Sequence, residues 1–201
     1  MLKYIRDDLK VISNLINNNS KVLDLGCGDG SLLYYLKTEK QVIPYGVEIS
    51  EKGIENCISK GVPVFHGDID EGLSDYKDKS FDYVILSQTL QVVKKPYKVL
   101  KEMLRVGKKC IVSFPNFGYF AIRFYLLFNG KMPRVKLLPY NWYDTPNIHH
   151  LTIKDFYHFC RDNQIKILKK EFLIFNSLKK VSLFPNLFAR YGIFLITDNK
   201  E

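Results

Sequence analysis

Short apolar runs alternate with amphipathic stretches along most of the chain, a rhythm that predicts strands interleaved with helices. Ile5, Leu9, Ile12 and Ile16 recur at helical spacing and predict a leading helix over residues 2–15. A compact apolar run over 21–25 ends at glycines and reads as a buried strand, with a helix resuming over 31–36. A second strand is expected over 42–48, where Pro44 hints at an edge or an irregularity. Ser50, with Gly53 in the first turn, opens a helix through residue 58 that Gly61 stops. Strands over 62–65 and 81–86 follow, then a helix over 96–105 led by Pro96, a residue suited to a first turn. A fifth strand is expected over 109–114. Thr152 and Asp155 form a capping-box pattern ahead of a helix over 153–160. Two late strands, 165–175 and 191–197, look like a hairpin-type addition.

Alternating elements of this kind imply an α/β fold, a doubly wound, mostly parallel sheet of seven strands with an antiparallel edge. The stretch 116–150 fits neither a strand rhythm nor a long helix, and an irregular segment of that length is usually functional. It is expected to form a lid or a partner surface on a single domain spanning 1–201. The length of 201 residues is consistent with one domain.

Composition narrows the picture further. Cys27, Cys57, Cys110 and Cys160 lie far apart without a CxxC pair, so neither a zinc site nor a disulfide framework is signalled. They read as reduced, mostly buried thiols of a cytoplasmic protein, and no metal is expected. The longest apolar run, 118–128, contains Arg123 and falls short of the roughly 20 residues of a membrane span; no membrane partner is expected, and a membrane-surface role for Tyr119 to Phe128 is a distant third reading. The net charge of +9 invites a nucleic-acid reading, yet the lysines are spread along the chain and no arginine-rich block accompanies them. No nucleic-acid partner is expected.

The chemistry gathers around Asp24-Leu25-Gly26-Cys27-Gly28-Asp29-Gly30. A strand that runs into Gly-x-Gly-x-Gly and then a helix sets backbone N–H groups at the carboxyl end of a sheet. Gly26, Gly28 and Gly30 permit the turn and let a ligand touch the backbone. The spacing is not the GxGxxG of dinucleotide enzymes, and Asp24 and Asp29 flank the loop. Two unit charges 4 Å apart interact by about 4 kcal/mol at an effective dielectric near 20. Facing a pyrophosphate that interaction repels; facing a sulfonium or an ammonium it attracts. S-adenosylmethionine carries both cations, so charge sign favours it over NAD. Glu48, about 20 residues on at the end of the second strand, stands where an acid grips ribose hydroxyls; the bland alternative is a surface Glu at a strand end. Asp68 is placed to accept from an adenine amino group and Ile69 to pack on the ring, with an Asx-turn as the alternative for Asp68. Ser87 and Gln88, at the tip of the fourth strand, are placed to contact the methionine end or an acceptor.

These blocks resemble the methionine-biosynthesis protein W (MetW) family. The resemblance rests on 22–30, Glu48, 67–72, 81–90, the Ser113-Phe114-Pro115-Asn116-Phe117-Gly118 run and the block from Leu138 to His149. The Ser-Gln-Thr-Leu-Gln and Trp-Tyr-Asp-Thr-Pro-Asn-Ile-His segments carry it most specifically. The resemblance implies a methyltransferase-like fold, S-adenosylmethionine as ligand, and a companion homoserine O-acyltransferase. The chain departs from the family pattern at Tyr119, where His is expected, and at His150, where Leu is.

Methyl transfer from a sulfonium needs in-line positioning more than strong chemistry. For an oxygen or nitrogen nucleophile, a base within about 3 Å is the usual aid. His149, His150, Tyr140, Tyr143 and Asp144 are the candidates; none stands out, and the catalytic assignment stays open. Trp142, Tyr140, Tyr143 and Phe117 form a lid, a protein contact or part of the core. Two functional readings follow: a ligand-sensing partner of the acyltransferase, or a methyltransferase acting on a small molecule.

Overall fold

The computed structural model describes residues 5–135, 137–174 and 180–198. The first residues of the expected leading helix and the last of the expected strand 165–175 lie outside these. In chain order the elements are α1 (Asp7–Asn14), β1 (Lys21–Leu25), α2 (Ser31–Lys40), β2 (Ile43–Glu48), α3 (Glu51–Ser59), β3 (Val64–His66) and β4 (Phe81–Ser87). Then come α4 (Pro96–Val106), β5 (Gly107–Pro115), α5 (Phe120–Asn129), α6 (Ile153–Asp162), β6 (Ile165–Leu173), α7 (Pro185–Phe188) and β7 (Tyr191–Asp198).

The strands form one seven-stranded sheet in the order β3-β2-β1-β4-β5-β7-β6. Five are parallel, and β7 runs antiparallel to both of its neighbours. The antiparallel pairing therefore lies at the expected side of the sheet, with the reversed strand inserted between β5 and β6. Two apolar cores cover the two faces. One packs α1, α2 and α3 on the sheet; the other packs α4 and α6. Strand order reverses at β1, which pairs with β2 on one side and β4 on the other, and this switch point opens a crevice at the strand ends.

Local chemistry sets the element boundaries. Ser50 caps α3 by accepting from the Gly53 N–H at 3.4 Å. Thr152 and Asp155 exchange both bonds of a capping box at α6. Pro44 does not mark an edge. The Ile43 N–H donates to Ser20 and the Gly46 N–H to Pro63, so the proline nitrogen faces the β3 side, where β3 does not yet reach. All four cysteines are free and buried.

The stretch 116–150, expected to be irregular, holds the ten-residue helix α5. Its sequence FAIRFYLLFN is apolar nearly all round, which erased the periodicity that marks an ordinary surface helix. Ile122 is fully buried there and packs with Tyr119, Leu137 and Leu138 in a small separate core.

Candidate functional site

The glycine loop between β1 and α2 is pinned to the neighbouring strand. The Gly26 and Cys27 N–H groups both donate to the Val47 carbonyl, at 2.8 and 3.1 Å. Gly26, Gly28 and Gly30 all have positive φ, a conformation that glycine adopts without steric cost. A Cβ built on Gly28 would meet nothing within 4 Å, so this backbone faces open space. Its N–H is nonetheless engaged, donating to Glu48 Oε2 at 2.8 Å.

Glu48 is 8% exposed, which rules out a mere surface acid at a strand end. Its Oε1 accepts from the Ile49 and Ser50 N–H groups at 3.0 and 2.9 Å, so one carboxylate ties the glycine loop to the start of α3. A carboxylate offers about four lone-pair sites, which leaves one for a ligand hydroxyl. Replacing Glu48 with Gln removes an acceptor from one of these bonds. Urea denaturation is expected to show a loss of about 1–3 kcal/mol, together with weaker ligand binding.

Asp24 lies beneath the loop, 3% exposed, and its Oδ1 has no hydrogen-bond partner. Burial, and secondarily the charge of Glu48, push its carboxyl up to about 8. A buried carboxyl with an orphaned oxygen is an invitation to a cation. Asp29 lines the same cleft as Asp24 but differs from it in its partners. It pairs with Lys60 at 2.7 Å and accepts from the Ser31 N–H and hydroxyl, so its charge is already answered. Partial burial works against it, but these bonds hold its pKa below the usual carboxylate value.

Two clefts flank the loop. One, of about 380 Å³, is lined by Gly26, Glu48, Ile49, Asp68, Ile69 and Thr89, among others. The second, of about 360 Å³, is lined by Arg6, Asp24, Gly28, Ser87, Gln88 and Thr89, among others, and includes Gly26 as well. The residues expected on one side for adenosine and on the other for the amino-acid end thus fall into two adjoining spaces that share Gly26 and Thr89. Gly30 lines neither; it serves as the left-handed N-cap of α2. Asp68 Oδ1 accepts from the Asp70 N–H at 2.9 Å, the Asx-turn that was its alternative reading, while the residue still lines the first cleft. Ser87 and Gln88 are set by β5: Ser87 Oγ lies 3.3 Å from Ser113 Oγ, and the Gln88 N–H donates to the Ser113 carbonyl at 3.0 Å. Thr89 belongs to the polar run at the tip of the fourth strand that the sequence marks, whereas Ile49 and Arg6 were not singled out from it. Ile49 follows the strand-end acid and was open to recognition; Arg6 reaches the site only through packing of the leading helix.

None of the candidate bases His149, His150, Tyr140, Tyr143 or Asp144 lines either cleft. His149 is half-buried with an orphaned Nε2 and faces a separate apolar space beside Tyr97 and Phe159. His150 packs edge-on against Phe117 with ring centroids 4.6 Å apart. Tyr140 and Trp142 line a small crevice with Met132. Among the described residues no group of three or more potential metal ligands comes together.

Comparison with known proteins shows the family and the fold. The family model described as "Methionine biosynthesis protein MetW" matches residues 6–196. A protein of Rhodopirellula baltica, "Bifunctional methionine biosynthesis protein MetXA/MetW", is 37% identical over 159 residues, covering 74% of this chain and 25% of that one. The chain thus spans about a quarter of the length of that relative. Among solved structures, a possible histamine N-methyltransferase from Thermotoga maritima, described as SAM-dependent, superposes with a TM-score of 0.68 at 23% identity, covering 96% of this chain and 88% of that one. A methyltransferase of Mesorhizobium loti, described as S-adenosylmethionine-dependent, gives a TM-score of 0.69 at 15% identity, covering 94% and 97%. These structural likenesses bear on the fold alone.

Proposed function

The chain belongs to the methionine biosynthesis protein MetW family, and from that premise we propose that it binds S-adenosylmethionine and acts as the ligand-sensing partner of a homoserine O-acyltransferase. The observation that carries the ligand is Asp24: a buried carboxyl with an orphaned oxygen, beside open glycine backbone, suits an ammonium or sulfonium far better than a pyrophosphate. Glu48 would take a ribose hydroxyl on its remaining lone pair. Asp68, Ile49 and Ile69 would hold the base. Gly26, Gly28, Ser87 and Gln88 would surround the amino-acid end, and Gly30 would keep α2 in line. A bound S-adenosylmethionine would supply an activated methyl group, and this chain's residues would orient it.

Support for the accessory role comes from two directions. The Rhodopirellula relative unites MetXA and MetW parts in one chain by its name. In addition, none of the loop residues His149, His150, Tyr140, Tyr143 and Asp144 lines the clefts beside the glycine loop. The methyltransferase reading remains the alternative, favoured by the fold, and an acceptor with an already competent nucleophile would serve it.

Titration calorimetry with S-adenosylmethionine tests the ligand, and acyltransferase assays with and without this protein test the role. Saturable binding and a change in acyltransferase rate are the expected results. Methyl transfer from labelled S-adenosylmethionine, with acyltransferase rates unchanged, would instead establish the alternative.

A further inference from the structure

An exposed apolar strip lies away from the ligand clefts. On α5, Phe124, Leu127 and Phe128 recur at i, i+3 and i+4 and are 53%, 73% and 76% exposed. The opposite side of the helix is also apolar, with Ile122 buried and Leu126 packed on the small core that holds Leu137 and Leu138. A helix apolar on both sides is normally covered on both sides. The strip continues onto α7: Phe120 bridges Phe124 and Phe188, with ring centroids 6.4 and 6.2 Å away. Leu183 and Phe184, just ahead of α7 in the chain, are exposed as well. Contiguous exposed apolar surface of this kind marks an interaction site.

Charge identifies the occupant. The sequence holds no Asp or Glu from Met103 through Tyr143, nor from Phe172 through Thr197, so both segments that build the strip lack carboxylates. A second copy of this chain would bring the same acid-free surface and a net charge of +9 against itself, which disfavours self-association. A lipid surface is disfavoured too. Helices that lie on membranes carry a Lys- and Arg-rich polar face. The one cation of α5, Arg123, is instead spent on the Gly118 and Asn186 carbonyls, and Arg134 reaches the Pro139 carbonyl. A protein face with an apolar centre fits the aromatics, and carboxylates at its rim would meet no like charge on either segment and would have exposed Lys131, just after α5, to pair with.

We infer that the α5–α7 strip is the docking surface for the homoserine O-acyltransferase, received on an acid-rimmed apolar face of that enzyme. The inference rests on the accessory reading above. The fold also gives the strip a route to the ligand clefts. The segment following α5 returns to the site, where the Ile148 and His149 N–H groups donate to the Gln91 carbonyl at 2.8 and 3.0 Å. Gln91 in turn donates to the Gln88 carbonyl at 2.7 Å, at the wall of the second cleft.

The test uses the full chain and the homoserine O-acyltransferase of the same organism, with complex formation followed by gel filtration and calorimetry. Leu127→Glu and Phe128→Glu place charge at exposed positions, so folding and S-adenosylmethionine affinity serve as internal controls. Each variant is expected to weaken the complex about tenfold or more while leaving ligand affinity within about twofold. Wild-type binding that both variants retain would overturn the docking assignment and leave the accessory role standing. Absence of any wild-type complex would remove the accessory role, and the assignment with it. Sedimentation of the wild type with phosphatidylserine–phosphatidylcholine vesicles, lost in both variants while the enzyme complex persists, would reassign the strip to a lipid surface.

Discussion

Asp24→Asn is expected to weaken S-adenosylmethionine binding about 30-fold or more, because it removes a buried carboxyl whose ionised form would meet a cation at close range. The same substitution is expected to stabilise the ligand-free protein at neutral to alkaline pH. The folded-state carboxyl sits near pH 8, well above its ordinary value of 3.8. Between those values the native state holds a proton that the unfolded state releases, so stability falls as pH rises and the loss is complete above about pH 8. The variant escapes that loss. Its melting temperature should equal the wild type's near pH 4 and exceed it increasingly towards pH 8, by about 2–4 °C for each kcal/mol.

Ligand binding reverses the sign. A cation that requires ionised Asp24 must expel its proton, so affinity should rise up to about tenfold per pH unit below pH 8. Calorimetry near pH 7 in two buffers of different ionisation enthalpy should register the proton released. Flat affinity between pH 6 and 7.5, or unchanged binding in the asparagine variant, would contradict this role for Asp24.

Phe194→Ala should give the largest loss of stability. Phe194 lies at the centre of β7, fully buried, with its ring 5.8 Å from Phe114, 4.7 Å from Phe156 and 5.8 Å from Phe172. Tyr157 closes on it edge-on at 5.3 Å. One ring therefore joins β5, β6 and α6 to the inserted strand. Removing it should cost about 3–5 kcal/mol, measurable by urea denaturation, because so many neighbours cannot all collapse into the space. A loss below about 1 kcal/mol would mean that this cluster repacks freely.

Much of the fold was legible because the signals were local. Ser50, Pro96 and the Thr152–Asp155 pair each marked a helix start through chemistry confined to one turn. The loop from Gly26 to Gly30 announced itself because only glycine adopts those backbone angles readily. Helix α5 was hidden for the opposite reason: an apolar residue at almost every position leaves no polar face to reveal the period. The nearness of Asp24, Glu48, Asp68 and Ser87 was legible only through the expectation of parallel strands, since strand ends in such a sheet converge on one side.

The sequence by itself determined the alternation of strands and helices, the left-handed glycine turn and the presence of acids at the tips of successive strands, all properties of short segments. Tertiary structure decided the rest: that Asp24 is buried and protonated while Asp29 is paired with Lys60, that Glu48 clamps the loop to α3, that β7 slides between β5 and β6, and that α5 keeps an apolar side uncovered. Each of these depends on burial and on partners distant in the chain. Solvation and charge pairing act through space, and they become definite only when the packed neighbours are in place.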